Sequence, residues 1–162
     1  AKLGWWQEEL QAWQQGMRRH PLGIVLQPRP APWQALGTAL PLLAATRERP
    51  SLAGLRPISE AMAAVSAALE PGSAAPDWER VALGLRAQRL LGREADASRP
   101  GDAAALLATW RHGSGAGDGA PRSLCLFEAV LRGRLRVCAT GGHGPPARIR
   151  TLLAAWRVAR GT

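Results

Sequence analysis

The sequence predicts an all-α fold, a single-domain bundle of six or seven helices. Three observations carry that reading. Apolar residues recur at spacings of three and four along almost the whole chain. No run alternates as a half-buried strand does, and tyrosine is absent. Clusters of Pro and Gly divide the periodic stretches at lengths suited to helices.

In the first stretch Leu3, Trp6, Leu10, Trp13 and Met17 form one stripe. Gly16 weakens its end, His20-Pro21 stops it, and Leu22 to Leu26 follow as a short apolar turn. Pro28, Pro30 and Pro32 then make a stiff connector. A second helix opens near Pro32 with Trp33, Leu36, Leu40 and Leu43 as its stripe, and Pro41 kinks or splits it. A third runs from about Pro57 to Leu69 and buries Ile58, Met62, Val65 and Leu69. Residues 70–76 are a loop. Asp77 caps the fourth helix, because its carboxylate can accept the free N–H groups of the first turn; Trp78, Val81, Leu85 and Leu91 face inward. Asp102 caps a fifth, which buries Leu106, Leu107 and Trp110. Residues 113–121 form a Gly-rich linker. A sixth helix buries Leu124, Phe127, Leu131, Leu135 and Cys138, residues 139–146 break the chain again, and a last helix carries Ile149, Leu152, Leu153, Trp156 and Ala159. The first residues are already in helical phase and lack an initiator Met, which predicts a further helix upstream of Ala1.

The 162 residues are enough for one ordinary domain with a core. No window approaches the ~20 apolar residues that cross a bilayer. Cys125 and Cys138 are too few for a disulfide framework or a four-ligand zinc site, and read as small core residues of a reducing, cytoplasmic protein. The net charge is +9, and all but one of the 21 basic residues are arginine. From Arg122 onward there are eight arginines and one acid, Glu128, a balance of +7. Phosphate-bearing molecules, anionic lipid or an acidic protein are the partners such a charge attracts.

The acids argue against local metal chemistry. Two carboxylates on one helix share a magnesium ion only when they stand about one turn apart. None of the 12 acids has another at i,i+3 or i,i+4. His20, His112 and His143 stand at helix ends or in Gly-rich loops, without ligand spacing to Cys, Asp or another His. No nucleophile elbow or phosphate-binding Gly loop with its Lys is present.

Most of the seven tryptophans fall on the stripes. Trp5 does not. It lies about 100° round the helix from Trp6 and needs a second neighbour, an upstream helix or an apolar ligand. Arg132, Arg134 and Arg136, spaced by two, fan around their helix. With Arg148, Arg150, Arg157 and Arg160 they are the candidate anion or membrane-surface patch. Exposed aromatics are not interleaved with it, so nucleic acid is not the expected partner.

The first segment, Lys2-Leu3-Gly4-Trp5-Trp6-Gln7-Glu8-Glu9-Leu10, followed by Gly16, Arg18-Arg19-His20-Pro21-Leu22 and Leu26, resembles the squalene/phytoene synthase family. There a helix of the form K/R-L-x-W-W-x-x-E-L precedes a short Gly/Arg turn and His-Pro. Leu126 to Arg136, with Pro145-Pro146, Arg148, Arg150, Leu152-Leu153, Trp156-Arg157 and Ala159, is similar to the closing two helices of bacterial members. Leu83 to Leu91 loosely resembles the lead into the family's second acidic motif.

The resemblance implies an isoprenoid-synthase-like fold. It also implies a chemistry in which magnesium, held by two Asp-rich motifs, assists head-to-head condensation of prenyl diphosphates. Two departures count against that chemistry here. The first acidic motif would lie before Ala1, and Arg89 to Asp96 does not reproduce the paired aspartates of the second. No catalytic or metal-binding residue is therefore assigned, and no cofactor is expected in this chain. The expected function is that of a divergent, non-catalytic relative that binds a prenyl- or lipid-like ligand, or a partner protein. Trp5 supplies apolar contact, and the arginines supply contact with an anion or with the inner membrane surface. The alternative is an active, magnesium-dependent prenyltransferase of isoprenoid biosynthesis whose first Asp-rich motif lies upstream. A third reading is an unrelated helical module that binds an acidic protein.

Overall fold

The computed structural model describes residues 2–47, 51–92, 99–113 and 119–142. Of these, 76% are helical and none is in a strand, so the fold class is all-α. The chain groups into two compact units, Ala1–Ala82 and Leu83–Thr162.

In the first unit, α1 (Lys2–Gln14) ends sooner than its stripe suggests. Gly16 takes φ +74°, the Gly16 N–H donates to the Trp13 carbonyl and the Met17 N–H to the Ala12 carbonyl. That pair of bonds is a Schellman closure, which needs a left-handed residue and finds it in glycine. Met17 is thereby expelled from the stripe and is 55% exposed. The apolar turn expected at Leu22 to Leu26 is instead a helix, α2 (Pro21–Leu26). Pro21 stands at a first helical position, where its missing N–H costs nothing, and His20 caps the helix: its ring Nδ1 accepts the Leu22 N–H at 3.1 Å. His-Pro thus closes nothing; it opens α2.

The next helix is split by Pro41, as expected, into α3 (Trp33–Ala39) and α4 (Pro41–Ala45). Then α5 (Leu52–Leu69) starts five residues earlier than Pro57, which lies inside it. Ser51 is the cap, its Oγ accepting the Gly54 N–H at 3.0 Å. Pro57 deprives the Ala53 carbonyl of its helical donor, but Ala53 is exposed to water. Asp77 caps α6 (Trp78–Gly92) through a 3.0 Å bond from the Glu79 N–H, and Arg56 of α5 lies over the Trp78 ring at 5.2 Å.

α1 packs on α3, α3 on α5, and α4 on α5. Leu10, Trp13, Trp33 and Val65 form one buried cluster, with Leu26, Leu36, Leu40 and Leu69 packed at its edge. Trp13 and Trp33 meet edge to face, with ring centroids 5.1 Å apart.

In the second unit, α7 (Arg99–Gly113) packs on α8 (Arg122–Ala139). α7 begins three residues before Asp102, because Pro100 suits a first turn; Asp102 lies inside that turn, where its charge complements the helix dipole. Leu106, Leu107, Trp110, Leu131, Leu135 and Cys138 are buried. Phe127, expected inside, is 38% exposed; its ring edge lies against Gly84, where an added Cβ would come within 3.3 Å of Cε1. α8 ends in a second Schellman closure at Gly141, φ +74°, with the Gly142 N–H donating to the Val137 carbonyl. The last expected helix, Ile149 to Ala159, lies outside the described residues.

Two substitutions test this packing. A Cβ at Gly23 of α2 would stand 2.9 Å from Arg18 Cβ and 3.0 Å from Trp13 Nε1. Gly23→Ala is expected to cost about 1–3 kcal/mol through forced displacement, seen as a lower urea midpoint. Leu135→Ala, at a position of zero exposure, is expected to cost about 2–5 kcal/mol through the cavity it leaves.

Candidate functional site

The best-built polar centre of the first unit forms around Glu9, which is fully buried. One helical turn separates Glu9 from Trp13, and the Trp13 indole donates to Glu9 Oε1 at 2.9 Å. The Gly16 reversal brings the chain back beside α1. The Arg19 and His20 backbone N–H groups then donate to the same oxygen at 2.8 and 2.9 Å, and Arg19 Nε donates to Oε2 at 3.3 Å. Burial by itself pushes the Glu9 carboxyl up. The bonds from His20, Trp13 and Arg19 outweigh it and hold the group down at about 2.

That anchoring sets the position of the rings around His20. Trp6 lies 4.8 Å from it, Trp5 5.8 Å, and the two indoles meet edge to face at 5.0 Å. The Arg19 guanidinium stands over Trp5 at 5.9 Å and reaches Glu8 at 3.6 Å. Trp5, off the main stripe, therefore has its second neighbours in Trp6, His20 and Arg19, and stays 37% exposed.

Beyond His20 the surface is apolar. Gly23 of α2 is buried against Trp13, and Leu26 packs at the edge of the core. At 100° per residue, the two positions that turn away from Gly23 and Leu26 are Ile24 and Val25. Both are 62% exposed, and Leu22 beside them is 51% exposed. Among the described residues of this unit, the exposed large apolar side chains are Trp5, Met17, Leu22, Ile24 and Val25. All belong to the α1–α2 segment. No Asp or Glu occurs from Leu10 to Arg47, while Arg18, Arg19, Arg29 and Arg47 do.

A cleft of ≈ 390 Å³ opens nearby between Trp13, Gln14, Gln27, Arg29, Trp33 and Gln34. Polar groups of its walls bond to one another: Gln14 donates to Gln34, Gln27 to the Trp13 carbonyl and the Trp33 indole to the Arg29 carbonyl.

The arginine patch is divided. Arg132 is half-buried, with its guanidinium over the Trp110 ring at 5.1 Å and donating to the Trp110 carbonyl at 3.3 Å. Arg134 and Arg136 are exposed. Arg148, Arg150, Arg157 and Arg160 lie outside the described residues, as do Glu94 and Asp96. Among the described residues, no three His, Cys, Asp or Glu side chains gather as metal ligands would, and the Glu9 oxygens are taken up by N–H donors. No described helix is long and apolar enough to cross a membrane.

Compared with known protein families, curated proteins and solved structures, the chain matches none.

Sequence reasoning missed the Glu9 centre and the apolar face of α2. A signal existed for each: Glu9 and Trp13 are at i,i+4, and Pro21 after His20 is a helix-start pattern.

Glu9 yields a pH prediction. Its folded-state pKa, about 2, is below the ordinary 4.5. The stabilisation is therefore complete above pH 4.5 and is lost as pH falls toward 2. Urea midpoints measured across that window should fall more steeply for the natural protein than for Glu9→Gln, which keeps an acceptor but has no charge to lose. At pH 7, Glu9→Ala is expected to cost about 3 kcal/mol, because it leaves the Trp13 indole and the Arg19 and His20 N–H groups without their acceptor.

Proposed function

We propose that the chain is a non-catalytic helical binding module, a divergent relative of the squalene/phytoene synthases, that binds an apolar, anionic, lipid-like partner through the α1–α2 surface. The observation that carries this reading is the clustering of exposed apolar side chains. Trp5, Met17, Leu22, Ile24 and Val25 all lie in the α1–α2 segment, which from Leu10 to Arg29 carries Arg18, Arg19 and Arg29 and no acid. An apolar surface rimmed by cations matches a molecule with a hydrocarbon body and a phosphate head. The non-catalytic part is supported by the carboxylates: Glu9 is bonded to N–H donors, and among the described residues no three His, Cys, Asp or Glu side chains gather as metal ligands would. The exposed Arg134 and Arg136 add positive surface in the second unit.

Two measurements test the reading. The protein should bind short-chain anionic phospholipid or vesicles containing it, and bind zwitterionic lipid at least about tenfold more weakly at low salt. Equal binding to both, or none, overturns it. With magnesium and farnesyl or geranylgeranyl diphosphate it should release no diphosphate; release abolished by EDTA would establish a prenyltransferase instead.

A further inference from the structure

We propose that His20 is an acid-sensitive latch on α2: protonation of its ring removes the acceptor that caps the helix, and α2 opens while the α1–α2 reversal stays fastened. The latch does not depend on what the α1–α2 surface binds.

The device turns on one nitrogen. His20 Nδ1 accepts the Leu22 N–H at 3.1 Å. Only an unprotonated ring nitrogen accepts, so the capping ring is neutral and carries its proton on Nε2. An imidazolium carries an N–H on both nitrogens. Its Nδ1–H would face the Leu22 N–H, donor against donor. The side chain is half-buried, within reach of water that delivers the proton.

The ring is held in place. Trp6 lies 4.8 Å from it and Trp5 5.8 Å, inside the ~6 Å at which an indole attracts a cation. The His20 backbone N–H is bonded to Glu9 Oε1 at 2.9 Å. With the ring and its own backbone held, the Leu22 N–H is the partner that yields.

α2 has little else to keep it closed. It has six residues, and a helix that short does not sustain itself. The Gly23 N–H donates to the His20 carbonyl at 2.8 Å and the Gln27 N–H to the Gly23 carbonyl at 3.1 Å. Its buried contacts are Gly23 against Trp13 and Leu26 at the edge of a buried cluster.

The charged groups around the ring leave the latch to histidine. Glu9 of α1 meets the His20 backbone, and its carboxyl is held down at about 2. Arg19 stands over Trp5 at 5.9 Å, a cation that opposes a charged ring, but Glu8 and Glu9 both pair with it. Arg18 is drawn to Gln27, and α2 carries no titratable side chain. Histidine is the side chain that ordinarily changes charge between pH 5 and 8. The latch therefore opens in a range where the Glu9 fastener is still charged.

The test is amide exchange of the full chain, followed by NMR at about pH 7.5 and about pH 5.5 and expressed as protection, which removes the intrinsic pH dependence. The ring resonances of His20 report its proton. As the ring takes it up, the Leu22, Gly23 and Gln27 amides should lose about fivefold or more of their protection, the weight of one helix cap. Leu10 and Trp13 of α1 should keep theirs. His20→Asn supplies a capping oxygen that cannot titrate, and should keep the α2 amides protected at both pH values. His20→Ala should leave them weakly protected at both, with α1 intact.

A protonated ring beside a Leu22 amide that stays protected overturns the latch. So does a ring that takes no proton by the lower pH, or a His20→Asn protein that opens over the same range as the natural one. Equal loss of protection in α1 and α2 would mean that the whole unit unfolds, and the latch fails in that case too.

Discussion

The first unit depends on one carboxylate finding enough donors inside the protein. Glu9 is fully buried, and a buried charge is tolerated only when hydrogen bonds replace the water it has lost. Its donors come from the α1 turn that follows it and from the backbone of the returning chain. The backbone donors matter most for shape. They fix where Arg19 and His20 stand, and so where α2 begins. A charge that folding would otherwise pay to bury becomes the fastener of the α1–α2 reversal.

From that fastener the exposed face of α2 follows. A helix of six residues cannot persist alone, because nucleation uses up what its few bonds return. α2 persists because its N-terminus is capped by a ring that is itself wedged near two indoles. Its inner side carries glycine, so the backbone approaches Trp13 closely. An inner face that small leaves little of α2 to bury. The larger apolar side chains, Ile24 and Val25, therefore point outward by geometry, not by loose packing.

Sequence periodicity was enough for the long helices, because their stripes are set by burial on a single side. Ile58, Val65, Leu106, Trp110, Leu131 and Leu135 are buried where the spacing places them, and Pro41 splits its helix as a missing N–H demands. It failed where a local bond outranks the pattern. Met17 continues the α1 stripe in phase, yet Gly16 has already reversed the chain. Pro57 carries a start signal, yet the Ser51 hydroxyl starts the helix first. The site was less legible than the fold. Trp5 stood out because it is off phase, but its neighbours His20 and Arg19 arrive through a turn whose geometry is set by tertiary bonds to Glu9. No spacing rule connects residues ten and eleven positions apart across a reversal.

The arginines show why composition alone could not place the site. Arg19 and Arg132 sit in runs that look equally basic, yet each is engaged inward. Arg19 faces two carboxylates, and Arg132 lies on the Trp110 ring while donating to its carbonyl. A guanidinium spent in this way contributes little to the outer field, because its charge is countered or its donors are occupied. Arg18 differs in its partner: Gln27 is neutral, and a hydrogen bond to an amide orients the guanidinium without cancelling its charge. The useful quantity is therefore not the number of basic residues in a segment but what each one is bonded to. By that measure the α1–α2 segment, with few arginines, presents a more directed cationic surface than their number suggests.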